Sequence, residues 1–282
     1  MSIAVAVTAA LLAALCFAVA AVLQQAAAAS VPEDQSLRPS LVVSLVRRPV
    51  WVAGMVLDIA SFIILGVALA YGPLVLVMPL AATDLVFALP LLAWRQGRRL
   101  TRAEVGGVAC TVGGMAAFLV VLPSTEGTVL PALADWVPLL AVVAGLVAGL
   151  LAVGVRKSGR VRTALFAAAA GMLLALLDAL AKSAAGLFRD DGLGALGHWE
   201  PYALIAVGVT GLLLVQSAYN AGSLAISLPV IDTVEPVGSV LIGAAVFSEP
   251  LATGRALAVQ VLAGMLAVAG IVILSRSPLV RA

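Results

Sequence analysis

Residues 223 to 249, SLAISLPVIDTVEPVGSVLIGAAVFSE, are long enough to cross a bilayer as one helix, yet they carry two carboxylates and two prolines in the middle. Pro229 and Pro236 each remove a backbone donor and disturb the helical ladder. Acids at hydrocarbon depth persist where they face a protein interior or a watery cavity. The spacing therefore marks Pro229 and Pro236 as helix breaks, and Asp232 and Glu235 as candidates for a substrate site inside a membrane.

Composition agrees with that setting. A chain that is 63% hydrophobic and 11% charged, with a mean hydropathy of +1.18, is too apolar for a water-soluble domain and has the lipid bilayer as its surroundings. The formal charge of +2 gives no groove for nucleic acid, which is set aside as a partner. Cys16 and Cys110 lie in apolar runs without paired spacing or nearby histidines and read as core residues. The first segment lacks a basic start and is too long for a signal peptide, so it reads as a transmembrane helix.

Apolar runs bounded by charges, prolines and turns predict an all-α integral membrane protein with about nine spans. They cover roughly 2 to 29, 49 to 71, 73 to 94, 102 to 123, 133 to 154, 161 to 188, 200 to 220, 223 to 247 and 255 to 275. Between the first two, Leu37, Leu41 and Leu45 recur at helical spacing, which predicts a short helix on the membrane surface. Trp51, Tyr71, Trp94, Trp136, Trp199 and Tyr202 fall at span ends, as interfacial aromatics do. Gly145 and Gly149 allow close helix packing, within the monomer or in a homodimer.

Basic residues sort by side. Nine spans put Arg38, Arg47, Arg48, Arg95, Arg98, Arg99, Arg102, Arg156, Lys157, Arg160, Arg162, Arg276 and Arg281 on one face, against Arg189 and Arg255 on the other. Retained positive charge marks the cytoplasmic side, so the N-terminus is expected outside and the C-terminus inside. A shift of 150 positions also aligns Gly72 with Gly222, Pro79 with Pro229, Thr83 with Thr233 and the Gly114-Met115 step with Gly264-Met265. Five spans separate the matched helices, an odd number, so the halves cross in opposite directions. That is an inverted-topology repeat, with residues 1–123 as the first half, 133–282 as the second, and Pro79 as a further helix break.

The ionisable residues well inside the spans are Asp58, Asp84, Asp178, Lys182, Asp232 and Glu235. Asp178 and Lys182 stand four apart in the order that suits an intrahelical pair. Asp58, Asp84, Asp232 and Glu235 fall in the middle third of the membrane, where unpaired carboxylates take up protons or hold a cation. Ser61, Gln24, Gln25, Gln216 and Asn220 offer neutral oxygens, or serve as polar glue between helices. Hard cations favour such oxygens, so Asp58, Asp232 and Glu235 are the candidate metal ligands. A protonated amine or a proton suits them equally.

The run RRPVWVAGMVLDIASFIILGVALAYGPLVLVMPL, with FALPLLAW and GGVACTVGGMAAFLVV, resembles the second to fourth helices of NIPA-type magnesium transporters of the drug/metabolite transporter (DMT) superfamily. QSAYNAGSLAISLPVIDTVEP, FSEPL and QVLAGMLAVAGIVIL resemble the matching EamA-type repeat, with Glu249 at the place of its terminal acid. The resemblance implies a DMT/EamA-like fold and a transport role. In it Asp58, Ser61 and Phe62 replace a Glu-x-x-Asn-Phe pattern, and Gln216 with Asn220 form a polar pair in the seventh helix. Asp for Glu and Ser for Asn are departures from that pattern. The expectation is a secondary transporter of a cation, magnesium by resemblance, or else a proton-coupled exporter of a small metabolite or drug. It is sited in a cell membrane, the bacterial inner membrane by preference, and needs no cofactor. With the lone His198 and no HExxH or Gly-x-Ser-x-Gly arrangement, enzymatic activity is not expected.

Overall fold

The computed structural model describes residues 2–71, 77, 80, 81, 83–121, 131–248 and 252–278, which form helices and connecting turns with no strand among them. The helices are α1 (Ser2–Ala28), α2 (Pro39–Val46), α3 (Pro49–Tyr71), α4 (Asp84–Arg95), α5 (Arg102–Val120), α6 (Leu133–Gly154), α7 (Gly159–Asp191), α8 (Glu200–Ala221), α9 (Leu224–Val246) and α10 (Gly254–Ser275). Among the described residues, eight of these are long and apolar enough to cross a membrane; α2 and α4 are not.

Their directions follow from which residues meet. Phe17 stacks edge-on against Phe62, and Gln24 lies against Gly54, so α1 and α3 run antiparallel. Gln24 meets Gln216 and the Ala28 carbonyl meets Asn220, so α1 and α8 run the same way. Gly208 faces Leu177 while Thr163 meets Ala221, which makes α7 and α8 antiparallel. Gly171 touches Ile231 and Val234, and Lys182 touches Phe247, so α7 and α9 are parallel. Gly107 meets Leu274 and Gly114 meets Ala263, which sets α5 and α10 antiparallel.

Those directions gather the basic ends of the helices together. At that end Arg95 donates to the Val22 carbonyl at 3.1 Å, and Arg98 pairs with the buried Glu104. Glu104 also accepts from the Thr101 backbone N–H at 2.7 Å and the Ser277 hydroxyl at 2.8 Å. Thr101 and Glu104 thus form a capping box that starts α5, and the same carboxylate ties α5 to the segment after α10. Arg281 lies outside the described residues.

Several expectations change. Trp51 and Trp136 are buried within the protein, whereas Tyr71, Trp94 and Tyr202 are exposed. Helix α2 forms where the leucine spacing placed it, but Leu41 and Leu45 are fully buried in the main core instead of facing lipid. The segment carrying it is strapped to α8: Ser36 donates to the Asn220 side-chain oxygen, Ser217 accepts from the Leu37 N–H at 2.9 Å, and Leu37 adopts φ 65°. Pro229 and Pro236 do not break α9, which runs unbroken past both. A proline inside a helix forfeits one bond, and here the rest of the ladder, packed against α7, carries the helix through. Gly145 and Gly149 meet nothing within 4 Å, so no helix of the described chain packs on that face.

Candidate functional site

The interior is built from small side chains that let polar ones in. On α3, Trp51, Gly54 and Asp58 share one face at i, i+3 and i+7. A Cβ at Gly54 would stand 2.9 Å from Gln24 Cγ, so glycine there makes room for the glutamine stem. The result is a chain of donors. Trp51 Nε1 donates to Gln216 Oε1 at 3.0 Å, and Gln216 Nε2 donates to Gln24 Oε1 at 2.7 Å. Gln24 in turn hydrogen-bonds the Asp58 carboxylate. Every donor points toward the acid, an arrangement in which each bond polarises the next.

Beyond Asp58 lies a group of acids. Tyr219, buried on α8, sits within electrostatic range of Asp232, Asp58, Asp84 and Glu235. Asp232 is close to Asp84 and Glu235, and Glu235 is within range of Asp178. The four acids expected from the sequence near the middle of the membrane, drawn from α3, α4 and α9, thus all lie within electrostatic range of Tyr219. Burial strengthens such repulsion, because the low-dielectric surroundings screen it poorly. Asp232 Oδ2 and Thr233 Oγ1 are buried with no hydrogen-bond partner among the described residues. Pro236 also deprives the Asp232 carbonyl of its ladder donor.

Asp84 departs from its predicted place. Rather than lying eleven residues into a helix starting at 73, it is the first residue of α4, after a turn closed by the Thr83 N–H donating to the Leu80 carbonyl at 3.1 Å. Its Oδ1 accepts from the Leu85 N–H at 2.8 Å, so an acid occupies the positive end of a short helix. Pro79, expected as a break, and Glu249 lie outside the described residues.

Other candidates are placed elsewhere. Ser61 is buried with its hydroxyl donating to the Leu57 carbonyl at 2.7 Å, inside its own helix. Asn220 works at the strap, donating to the Ala28 and Val31 carbonyls at 2.7 Å each while accepting from Ser36. Asp178 accepts from Ser239 at 2.9 Å, and Lys182 Nζ stands 4.6 Å from the Phe247 ring centroid. Both residues of α7 therefore face the α9 side. Asp58, Asp232 and Glu235, named as metal ligands, share a field but not a coordination sphere. Among the described residues no three His, Cys, Asp or Glu side chains close on one point. Sequence reasoning missed Tyr219, whose only signal was its position three residues after Gln216 on the same helix.

Among the described residues, eight helices long and apolar enough to cross a membrane, with Gln24, Asp84, Gln216 and Asn220 buried between them, define a multi-pass, all-α membrane protein. No protein-family model and no solved structure matches the chain. It is 30% identical over 241 residues to the uncharacterized protein Cgl0250/cg0304 of Corynebacterium glutamicum, covering 85% of this chain and 83% of that one. The chain belongs to the family of that protein.

Proposed function

We propose that the chain is a secondary transporter of inverted-repeat build that moves a small cation through a site bounded by Asp58, Asp84, Asp232 and Glu235. The observation that carries this reading is that acids from α3, α4 and α9 all lie within electrostatic range of the one buried Tyr219. Buried like charges raise the energy of the empty site, and a positive guest relieves it.

The repeat is supported by helix directions. Matched spans one and six are α1 and α7; two and seven are α3 and α8; four and nine are α5 and α10. In each pair the two members run oppositely. The start of α4 at Asp84 also fits transporters whose half-helices end at a central site. Loops at the basic end are read as cytoplasmic, with the bacterial inner membrane as the location.

The resemblance to NIPA-type transporters makes magnesium the first cargo to test. Among the described residues no three acids close on one point, and an ion held by few protein oxygens keeps several waters, as magnesium does. The alternative is an EamA-like exporter in which the same acids exchange protons against a metabolite or drug. Flux into proteoliposomes separates the two. Magnesium uptake that persists without a pH gradient supports the first; a metabolite flux that stops when the gradient is collapsed supports the second. Absence of either flux from protein that remains folded would sink both.

A further inference from the structure

Two grooves open along α3, at opposite ends, the first of them shared with α1. One, of about 520 Å³, is lined by Ala4, Val5, Thr8, Ala9, Leu12, Ile64 and Val67 and contains no charged residue. The other, of about 680 Å³, lies at the elbow between α2 and α3, against Val52, Ala53, Val56 and Leu57, with Arg47 at its mouth. Val52 and Ala53 are each repeated one turn later, by Val56 and Leu57, so the apolar wall extends along the helix away from Arg47.

The two arginines of the elbow have different tasks. Arg48 turns inward and donates to Ser30. Arg47 is exposed; its backbone N–H closes α2 on the Leu45 carbonyl, and its side chain forms no hydrogen bond or ion pair within the described chain. It stands at the end where the other basic residues gather, the level at which a phosphate plane lies if that end faces the cytoplasm. Val46, Val52 and Val56 are 54%, 40% and 60% exposed, an apolar surface that belongs against acyl chain rather than water.

We propose that this elbow docks one anionic phospholipid, its phosphate on Arg47 and an acyl chain along Val52, Ala53 and Val56. Charge complementarity selects the occupant: a zwitterionic lipid fills the groove but brings a compensating cation to Arg47, whereas an anionic headgroup brings none. The uncharged groove at the other end of α3 takes acyl chain without headgroup preference. The proposal does not depend on what the protein transports.

The test is native mass spectrometry of the intact 282-residue chain released from detergent with phosphatidylglycerol or phosphatidylcholine of identical acyl chains. One phosphatidylglycerol molecule is expected to be retained in preference to phosphatidylcholine. Arg47→Gln is expected to reduce that preference about fivefold, the effect of removing one cation beside an anionic headgroup. Arg102→Gln, at the same end but outside the groove, is expected to leave it unchanged. Ala53→Trp, which fills the groove, is expected to lower retention of the preferred adduct. Lipid-free melting temperatures of the variants verify that each is folded. Equal retention of the two lipids, an unchanged preference in Arg47→Gln, or displacement of the adduct by glycerol 3-phosphate alone would overturn the proposal.

Discussion

Gln216 donates from Nε2 to Gln24 Oε1 at 2.7 Å, so one buried amide contact ties α8 to α1. Through Trp51 on one side and Asp58 on the other it also spans two turns of α3. Replacing Gln216 by Leu removes the acceptor for Trp51 and the donor to Gln24 at once. Each orphaned buried group costs ~1–3 kcal/mol, and a lowered melting temperature in detergent is the expected result. Gln24→Leu is expected to do the same. Because both act on one chain of bonds, the double variant should lose less than the two single losses added together.

Asp232 and Glu235 are predicted to cost stability and supply function. Asp232→Asn replaces an ionisable group among neighbouring acids with a neutral amide, so the melting temperature is expected to stay level or rise. Transport into proteoliposomes is expected to fall by at least about tenfold, the consequence of ~1.4 kcal/mol lost at the site. Tyr219→Phe keeps the ring and removes the phenol that lies within electrostatic range of the acids, and a smaller loss of flux is expected with the fold intact. A variant that loses stability and flux together at Asp232 would mark that acid as a structural tether.

The Gly114-Met115 and Gly264-Met265 steps look equivalent in sequence but are not in space. A Cβ at Gly114 would lie 2.6 Å from the Ala263 carbonyl oxygen and the Ala267 nitrogen, backbone that cannot yield without parting α5 from α10. At Gly264 nothing lies within 4 Å. Gly114→Ala is expected to lower folded yield and melting temperature sharply, while Gly264→Ala is expected to be near neutral. Size-exclusion profiles of the purified variants read the difference.

How much of this could be read without coordinates depends on the kind of signal. Helix ends carried by charge and proline were legible: α3, α6, α8 and α10 fall within a residue or two of the runs drawn for them. The buried acids were legible too, since a carboxylate in an apolar run has few reasons to be there. What each polar group touches was not. Asn220 and Gln216 lie four apart on one helix, yet one holds the strap and the other the amide chain, because α1 passes α8 at both levels. Trp51 was legible as the start of a span, but not as a buried donor to Gln216 of α8. Pro229 and Pro236 carry a local cost that sequence shows, but not the packing against α7 that keeps α9 whole.

The final prediction concerns Glu104, which joins three segments at the basic end. It is fully buried, pairs with Arg98, and accepts from the Thr101 N–H and the Ser277 hydroxyl. Removing it takes away the Arg98 partner and the carboxylate half of the α5 capping box in one step, while the Thr101 hydroxyl still caps the backbone N–H of residue 104. Arg98 is partly exposed, so breaking this pair costs less than the ~3–5 kcal/mol of a fully buried one, and Glu104→Ala is expected to lower the melting temperature markedly. Ser277→Ala removes a single hydroxyl from the same carboxylate and is expected to cost only ~1 kcal/mol. Arg98→Met tests the assignment directly: it deletes the charge but leaves Glu104 its two other donors, so an intermediate melting temperature is expected. If Glu104→Ala and Ser277→Ala melt alike, the carboxylate is not what holds α5 to the end of α10.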